Sequence, residues 1–593
     1  MPMKYGFPTR KGTLAVLLGG FLMAGGTTII LTANRPTLFI NARILTMNDD
    51  RPFADALLMN GRYISAVGDQ QSLEQELPWL TRVIDLRGKS VVPGFVDAHS
   101  HFPSSGLARS FLDLTPPPVG DVSSLDTLLR RVGEYAARRP RGEWILAFNY
   151  DDASLAVQRH PTRQELDRVA PHHPVYLWHR SGHMGVANSQ AMAELGHQDE
   201  SHARSSFEKN NFEPQRDSQG QLTGLLQEGV APRLGRLLMK LPLRDLLNAL
   251  LYARDSYLQA GVTTVQNGFA DLLSMRMLFW AQRLGIIPQR IVVWPAYEKM
   301  ADRISSEISG ERLGTATDAL QRALDWQADP EYFSLSALKL SVDGSPQGRT
   351  AWLTEPYRST GGKAPDYRGF PALSAQRLKS QVLEFHRAGV RLALHGNGDA
   401  AIDLIIEALD AAQLQYYRPE IGHIVVHAQT IREDQLPRLK QLGATVSFFP
   451  AHTFFWGDWY RQTVLGEERA RRISPLALAD TYEVAYSLHS DAPVTPVNPM
   501  QILWSANRRE TLSGHVLGPE FIISRERALR AMTLDAASQN GLEHDRGSLE
   551  AGKLADIVVL SSDPLSEPDV RNIRVERVWI GGRDVYMREA ASR

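Results

Sequence analysis

Six residues far apart in the chain have side chains and local spacing suited to holding divalent cations. His99 and His101 stand two apart in Pro93-Gly94-Phe95-Val96-Asp97-Ala98-His99-Ser100-His101, at the end of an apolar run that reads as a β-strand. Alternate strand residues point to the same side, so both imidazoles can face one ion. Other apolar runs end in the same way: Ala393-Leu394-His395-Gly396, Val425-Val426-His427-Ala428 and His489-Ser490-Asp491-Ala492-Pro493. One such histidine alone is the mark of a hydrogen-bonded core residue. Four histidines and an aspartate at the ends of strands in one domain point instead to a common site. Imidazole and carboxylate without sulfur favour zinc, with manganese or iron as the alternatives. The chain has no cysteine, which excludes thiolate ligands, cysteine nucleophiles and disulfides.

A second ion would bring more positive charge than Asp491 and a hydroxide offset, so a bridging anion is needed. Lys339, inside the run Ser336-Ala337-Leu338-Lys339-Leu340-Ser341-Val342, can supply one if its amine takes up carbon dioxide to form a carbamate. The plainer reading is a lysine paired with a nearby acid, because an unpaired buried ammonium is costly. Glu228, in Gly224-Leu225-Leu226-Gln227-Glu228-Gly229, is the competing bridge. His183, Arg349, Trp456 and His452 are candidates for holding substrate: a hydrogen bond to a carbonyl, a forked clamp on an anion, and two pocket-wall rings. Each has an ordinary structural alternative. Asp343 and Asp399, each beside glycine, read as turn or cap residues.

The elements that must position these residues are short apolar runs alternating with helical stretches, the rhythm of a parallel sheet. Eight runs stand out, at 91–98, 262–267, 290–294, 337–342, 390–395, 423–427, 444–449 and 485–490. Eight units favour a closed (β/α)8 TIM barrel, whose active sites lie at the C-terminal strand ends. The gap after the first run is too long for one crossover, so about 103–225 reads as an inserted subdomain, with 197–221 an exposed mobile loop. Short strands and an Asn60-Gly61 hairpin signal fill the stretch before the barrel, and strand-like material returns near the C-terminus. The expected class is therefore α/β: a distorted TIM barrel over 93–546 with a small composite β-sandwich from 36–92 and 547–593.

The 593 residues carry 65 Lys plus Arg against 66 Asp plus Glu, a net charge of -1, which argues against a nucleic-acid partner. Lys4, Arg10 and Lys11 precede an apolar run from Leu14 to Leu31, the pattern of a signal peptide or an uncleaved membrane anchor over 1–35. The expectation is export, to the periplasm or to a membrane-attached state. The remaining expected partner is a small-molecule substrate, and a barrel of this size has surface enough for a homodimer.

The chain resembles the amidohydrolase superfamily, in the family 3 branch of N-substituted formamide deformylase-like enzymes, from about residue 38 to residue 585. The resemblance is carried by PGFVDAHSH from Pro93, SGH from Ser181, LKLSVDGSPQGRTAWL from Leu338, HGNGDAAI from His395, VVHAQ from Val425, PAH from Pro450, HSDAPV from His489 and GKLADIVVL from Gly552. It implies a distorted barrel with a composite β-domain, and metal ligands at His99, His101, His395, His427 and Asp491. The implied activity is metal-dependent hydrolysis of a carbon–nitrogen bond other than a peptide bond, with metal-activated water as nucleophile and Asp491 as general acid and base. Two other readings stay open: a mononuclear deaminase of a heterocycle, and an inactive barrel used for binding. The Gly396-Asn397-Gly398 and Phe448-Phe449-Pro450 stretches depart from the pattern and bear on substrate choice.

Overall fold

The computed structural model describes residues 35–195, 215–217, 219–227, 242–299, 329 and 331–589. The expected export segment up to residue 34, most of the 197–221 loop and Glu228 lie outside the described residues. Among the described residues, no helix is long and apolar enough to cross a membrane.

The chain divides into two compact units. The smaller takes residues up to Gly94, His544–Asp563 and the C-terminal stretch from Arg574. It holds a four-stranded sheet in the order Tyr63–Gly68, Ala56–Asn60, Thr37–Ile40, Arg82–Asp85. Its six-stranded sheet interleaves both ends of the chain: Arg583–Met587, Val575–Ile580, Ile557–Leu560, Ser90–Pro93, Arg43–Leu45 and Phe53–Ala54. Phe39, Ile44, Leu57, Val91, Ile557 and Trp579 form its core, with the Phe39 and Trp579 rings edge-on at 4.9 Å.

The larger unit runs from Phe95 to Glu543 and includes Pro564–Ile573. Its parallel strands lie in two arcs. The first consists of β1 (Phe95–Val96), β2 (Val262–Ala270), β3 (Arg290–Pro295) and β4 (Phe333–Leu335). The second consists of β5 (Leu338–Ser341), β6 (Leu392–Gly396), β7 (Ile424–His427), β8 (Thr445–Phe448) and β9 (Tyr486–Leu488). A parallel bridge between Ala296 and Lys339 connects them. Almost every residue of these strands is buried, as expected when a parallel sheet is covered on both faces. Val96, Ala98, Val292, Trp294, Ala393, Ile424 and Val426 pack together in one core cluster.

Two features differ from the sequence reading. The run at 91–98 is not one strand: Ser90–Pro93 pairs in the smaller unit and only Phe95–Val96 pairs with β2, the break falling at Gly94. Closure is also not a continuous ladder. Among the described residues no strand pairing joins β9 to β1; the loops beyond them meet instead, with Asp491 N–H donating to His99 O at 3.1 Å and His101 N–H to Ala492 O at 2.8 Å. The fold is α/β and TIM-like, with a seam where two of the candidate ligand loops touch.

Between β1 and β2 a separate five-stranded sheet runs in the order Leu225–Gln227, Met184–Ala187, Val175–His179, Ile145–Tyr150, Leu112–Asp113. Helix Leu125–Ala136, capped by the Ser124 side chain on Thr127 N–H, lays Leu128 and Val132 against it. This sheet ends in the turns that carry Asp151, Asp152 and His183.

Candidate metal centre

His99 and His101 sit just past β1, in the turn that reaches the seam. Their rings are 5.2 Å apart and nearly perpendicular. Asp491 comes from the loop after β9, with φ +53, a left-handed conformation that aspartate and asparagine tolerate. Its Oδ1 lies 3.2 Å from His101 Nε2 and 3.6 Å from His99 Nε2. One ligand atom from each of His99, His101 and Asp491 falls within 4.8 Å of the others. Asp491 Oδ1 is buried and accepts no hydrogen bond. A buried carboxylate oxygen left without a donor is costly unless a cation meets it. The donor set therefore fits a divalent ion.

The ring chemistry agrees. His99 Nδ1 is 3.0 Å from Gln266 Oε1, an atom that only accepts, so Nδ1 carries the proton and Nε2 keeps its lone pair. The ring stacks on Trp294 at 5.2 Å. Gly268 is required beside it, because a Cβ there would stand 2.4 Å from His99 Nδ1. Burial pushes His99, His395, His427 and His489 well below the usual imidazole range and keeps them neutral, the form in which an imidazole can bind a metal.

His395 and His427 form the adjoining wall. Their rings are 4.7 Å apart, and His427 lies 5.4 Å from His99. His395 Nε2 lies 3.0 Å from Gly344 O and 3.1 Å from Asn397 Nδ2. His427 Nδ1 meets His489 Nε2 at 3.1 Å, and His489 Nδ1 meets Ser447 Oγ at 3.0 Å. Lys339, on β5, is 2% exposed, with Nζ 3.3 Å from His99 Nε2 and 5.6 Å from the centre of the Trp294 ring. No carboxylate lies within ion-pair distance of Nζ among the described residues, so the plainer salt-bridge role is not what the structure displays. Burial draws its pKa down to about 7. Glu228, the competing bridge, lies outside the described residues.

The substrate candidates divide. His183 reaches the wall, its ring 5.2 Å from His395. His452 is buried against Phe449 at 4.0 Å. Trp456 is 1% exposed and donates from Nε1 to Asp151 Oδ2 at 2.8 Å. Arg349 donates from Nε to Ser359 O at 2.8 Å and lies 5.4 Å from the Trp459 ring, a structural arrangement for part of its fork. Asp343 accepts backbone N–H groups of Trp352, Asn397 and Gly398 at 3.0, 3.0 and 2.8 Å, so it knits two loops beneath His395. Gly398 is obligatory in that join, since a Cβ would stand 1.9 Å from Trp352 O. Asp399 accepts from Thr354 N–H at 2.9 Å.

Sequence reasoning missed Gln266, which fixes the His99 tautomer, and the part His489 plays in orienting His427. It also missed a buried group in the inserted sheet: Asp151, Asp152 and His179. His179 Nε2 is 3.1 Å from Asp152 Oδ1, and Asp151 takes the Trp456 N–H. The adjacent acids Asp151-Asp152 after an apolar run were the only visible signal.

The sequence pattern of the amidohydrolase family matches residues 82–586. Over 93% of this chain and 98% of its own length, an N-substituted formamide deformylase of Arthrobacter pascens is 28% identical. Protein LONG AFTER FAR-RED 3 of Arabidopsis thaliana is 27% identical over 93% of this chain and 91% of its own. The crystal structure of an uncharacterized metal-dependent hydrolase from Pyrococcus furiosus superposes with a TM-score of 0.65 at 26% identity, covering 90% of this chain and all of that one (100%). The His-x-His turn, the strand-end histidines and the matched span lead to one conclusion: this chain belongs to the amidohydrolase family and is an enzyme acting on amide-type bonds.

Proposed function

We propose that this chain hydrolyses the amide bond of an N-formyl or N-acyl amine, with His99, His101, His395, His427 and Asp491 holding the divalent ion and Lys339 completing the site for a second. The observation that carries the reading is the buried Asp491 Oδ1, which accepts no hydrogen bond, beside the His99 and His101 imidazoles. When bound, a divalent ion lowers the pKa of its water from 15.7 to about 7 and polarises a carbonyl oxygen.

The protein's own residues do the rest. Gln266 fixes the tautomer of the His99 ring, and His489 holds the His427 ring through its Nδ1. Asp491 accepts the proton of the attacking water and returns it to the leaving nitrogen. That transfer is essential, because an amide anion leaves very poorly. His183, whose ring stands 5.2 Å from that of His395, would donate to the carbonyl oxygen. Water is consumed, the carbon–nitrogen bond breaks, and a carboxylate and an amine leave.

The test is turnover of N-formyl and N-acyl amines by protein reconstituted with zinc, manganese or iron. Hydrolysis that chelation abolishes and metal restores is expected. Undiminished turnover after complete metal removal would overturn the reading.

A further inference from the structure

The inference rests on the amide-hydrolase reading and concerns the part of the substrate that does not react. Besides Asp491 Oδ1, the buried polar atoms without a hydrogen-bond partner include Gln347 Oε1, Asn397 Oδ1 and His452 Nδ1. Each of these last three residues is 3% exposed. Their remaining polar atoms are committed. Asn397 Nδ2 donates to Gly344 O at 2.8 Å, which leaves its oxygen as an open acceptor. Gln347 Nε2 is 3.1 Å from His452 Nε2. A glutamine nitrogen only donates, so His452 Nε2 accepts and the ring proton sits on Nδ1. Burial keeps that ring neutral. The result is one open donor and two open acceptors, all uncharged.

These groups border the metal centre. Gln347 and Asn397 belong to the two loops joined by Asp343 and Gly344, and Asn397 stands two residues from His395. His452 packs on Phe449, whose ring is 5.1 Å from His489 and 6.3 Å from His427. Buried groups left open in this way need a partner. One donor and two acceptors complement a carbonyl oxygen and an NH2 group. A charged substituent would find no counter-charge on these three residues. A competing group is Arg180, whose buried Nη2 also has no hydrogen-bond partner and whose guanidinium lies 4.9 Å from the Trp456 ring. It would favour a carboxylate.

We infer that Gln347, Asn397 and His452 form a subsite for a neutral amide-type group, a carboxamide or ureido function, carried by the substrate away from the bond that is cleaved.

The experiment uses the metal-replete full chain and N-formyl amines of equal length that end in a carboxamide, a carboxylate or a branched hydrocarbon. The carboxamide is expected to exceed the hydrocarbon in kcat/KM by about 100-fold or more, since a site built for hydrogen bonds rejects the analogue lacking them. Gln347→Leu and His452→Phe should bring that ratio below about tenfold, while His452→Gln, which retains an N–H donor, should keep part of it. Because the readout is a ratio, a general loss of active protein cancels. Thermal stabilisation by the carboxamide-bearing amine product reads the same preference without turnover. A ratio near one, or a preference for the carboxylate, would overturn the subsite while leaving amide hydrolysis intact. Failure to hydrolyse every member of the panel would overturn the parent reading, and the subsite with it.

Discussion

Asp491→Asn is expected to lower kcat by roughly 100- to 10,000-fold, the range that a positioned general acid and base contributes. The substitution isolates the chemistry. Asparagine has the same shape and accepts the φ of +53 that Asp491 adopts, so the backbone link from residue 491 N–H to His99 O should survive. It also keeps one side-chain oxygen to face the ion. What it cannot do is take the proton of the attacking water and return it to the leaving nitrogen. The loss should therefore fall on kcat, with KM and melting temperature little changed. Steady-state kinetics beside a thermal melt check this, and a fall of less than about tenfold would remove Asp491 from the proton path.

Lys339→Met should have a comparable effect by a different route. Methionine fills a similar volume but cannot form a carbamate. A carbamate there would arise as Nζ bonds to the carbon of carbon dioxide and one amine proton leaves, giving an anion. That reaction needs a neutral amine. With its pKa drawn down to about 7 by burial, Lys339 is mostly neutral at pH 8, where an exposed lysine titrating near 10.4 is almost wholly charged. Reconstitution with metal at pH 8 should therefore be accelerated by bicarbonate and slow markedly below pH 7. Lys339→Met should lose the bicarbonate response and weaken metal binding by more than the 10- to 100-fold typical of outer partners. Metal content by elemental analysis, with and without bicarbonate, decides the point; equal content in the two proteins would contradict it.

The same shift has a consequence for the ion-free protein. A lysine whose pKa is lowered on folding binds fewer protons in the native than in the unfolded chain between pH 7 and 10.5. Its cost to stability is thus greatest below pH 7 and fades as pH rises toward 10.5. The melting-temperature gap between the ion-free native chain and Lys339→Met should narrow over that interval.

The candidate ligand residues were legible because each ends an apolar run, and a run with a polar terminus says where a side chain emerges. His395 and His427 show this directly: each falls within the last two residues of a parallel strand. His99 and His101 were placed on a strand, yet they lie in the turn beyond it, because Gly94 hands Ser90–Pro93 to a different sheet. An apolar run cannot reveal that its two halves serve two sheets. Gln266 was not visible for a related reason. It lies inside β2 among buried residues, and its meaning comes only from the His99 ring across the ladder. Gln347 and His452 are 105 positions apart, and their contact has no trace in local pattern. The seam between β1 and β9 was also beyond reach, since closure depends on how loops meet rather than on the strands themselves.

The most direct test of the account is anomalous X-ray scattering from crystals of the metal-loaded protein, recorded on either side of the metal's absorption edge. A peak bounded by His99, His101 and Asp491 is expected, with a second ion, when bicarbonate is supplied, between Lys339 and the His395–His427 wall. A well-ordered, fully loaded crystal with its only peak elsewhere, or with these side chains hydrogen-bonded to one another and no peak among them, would contradict it.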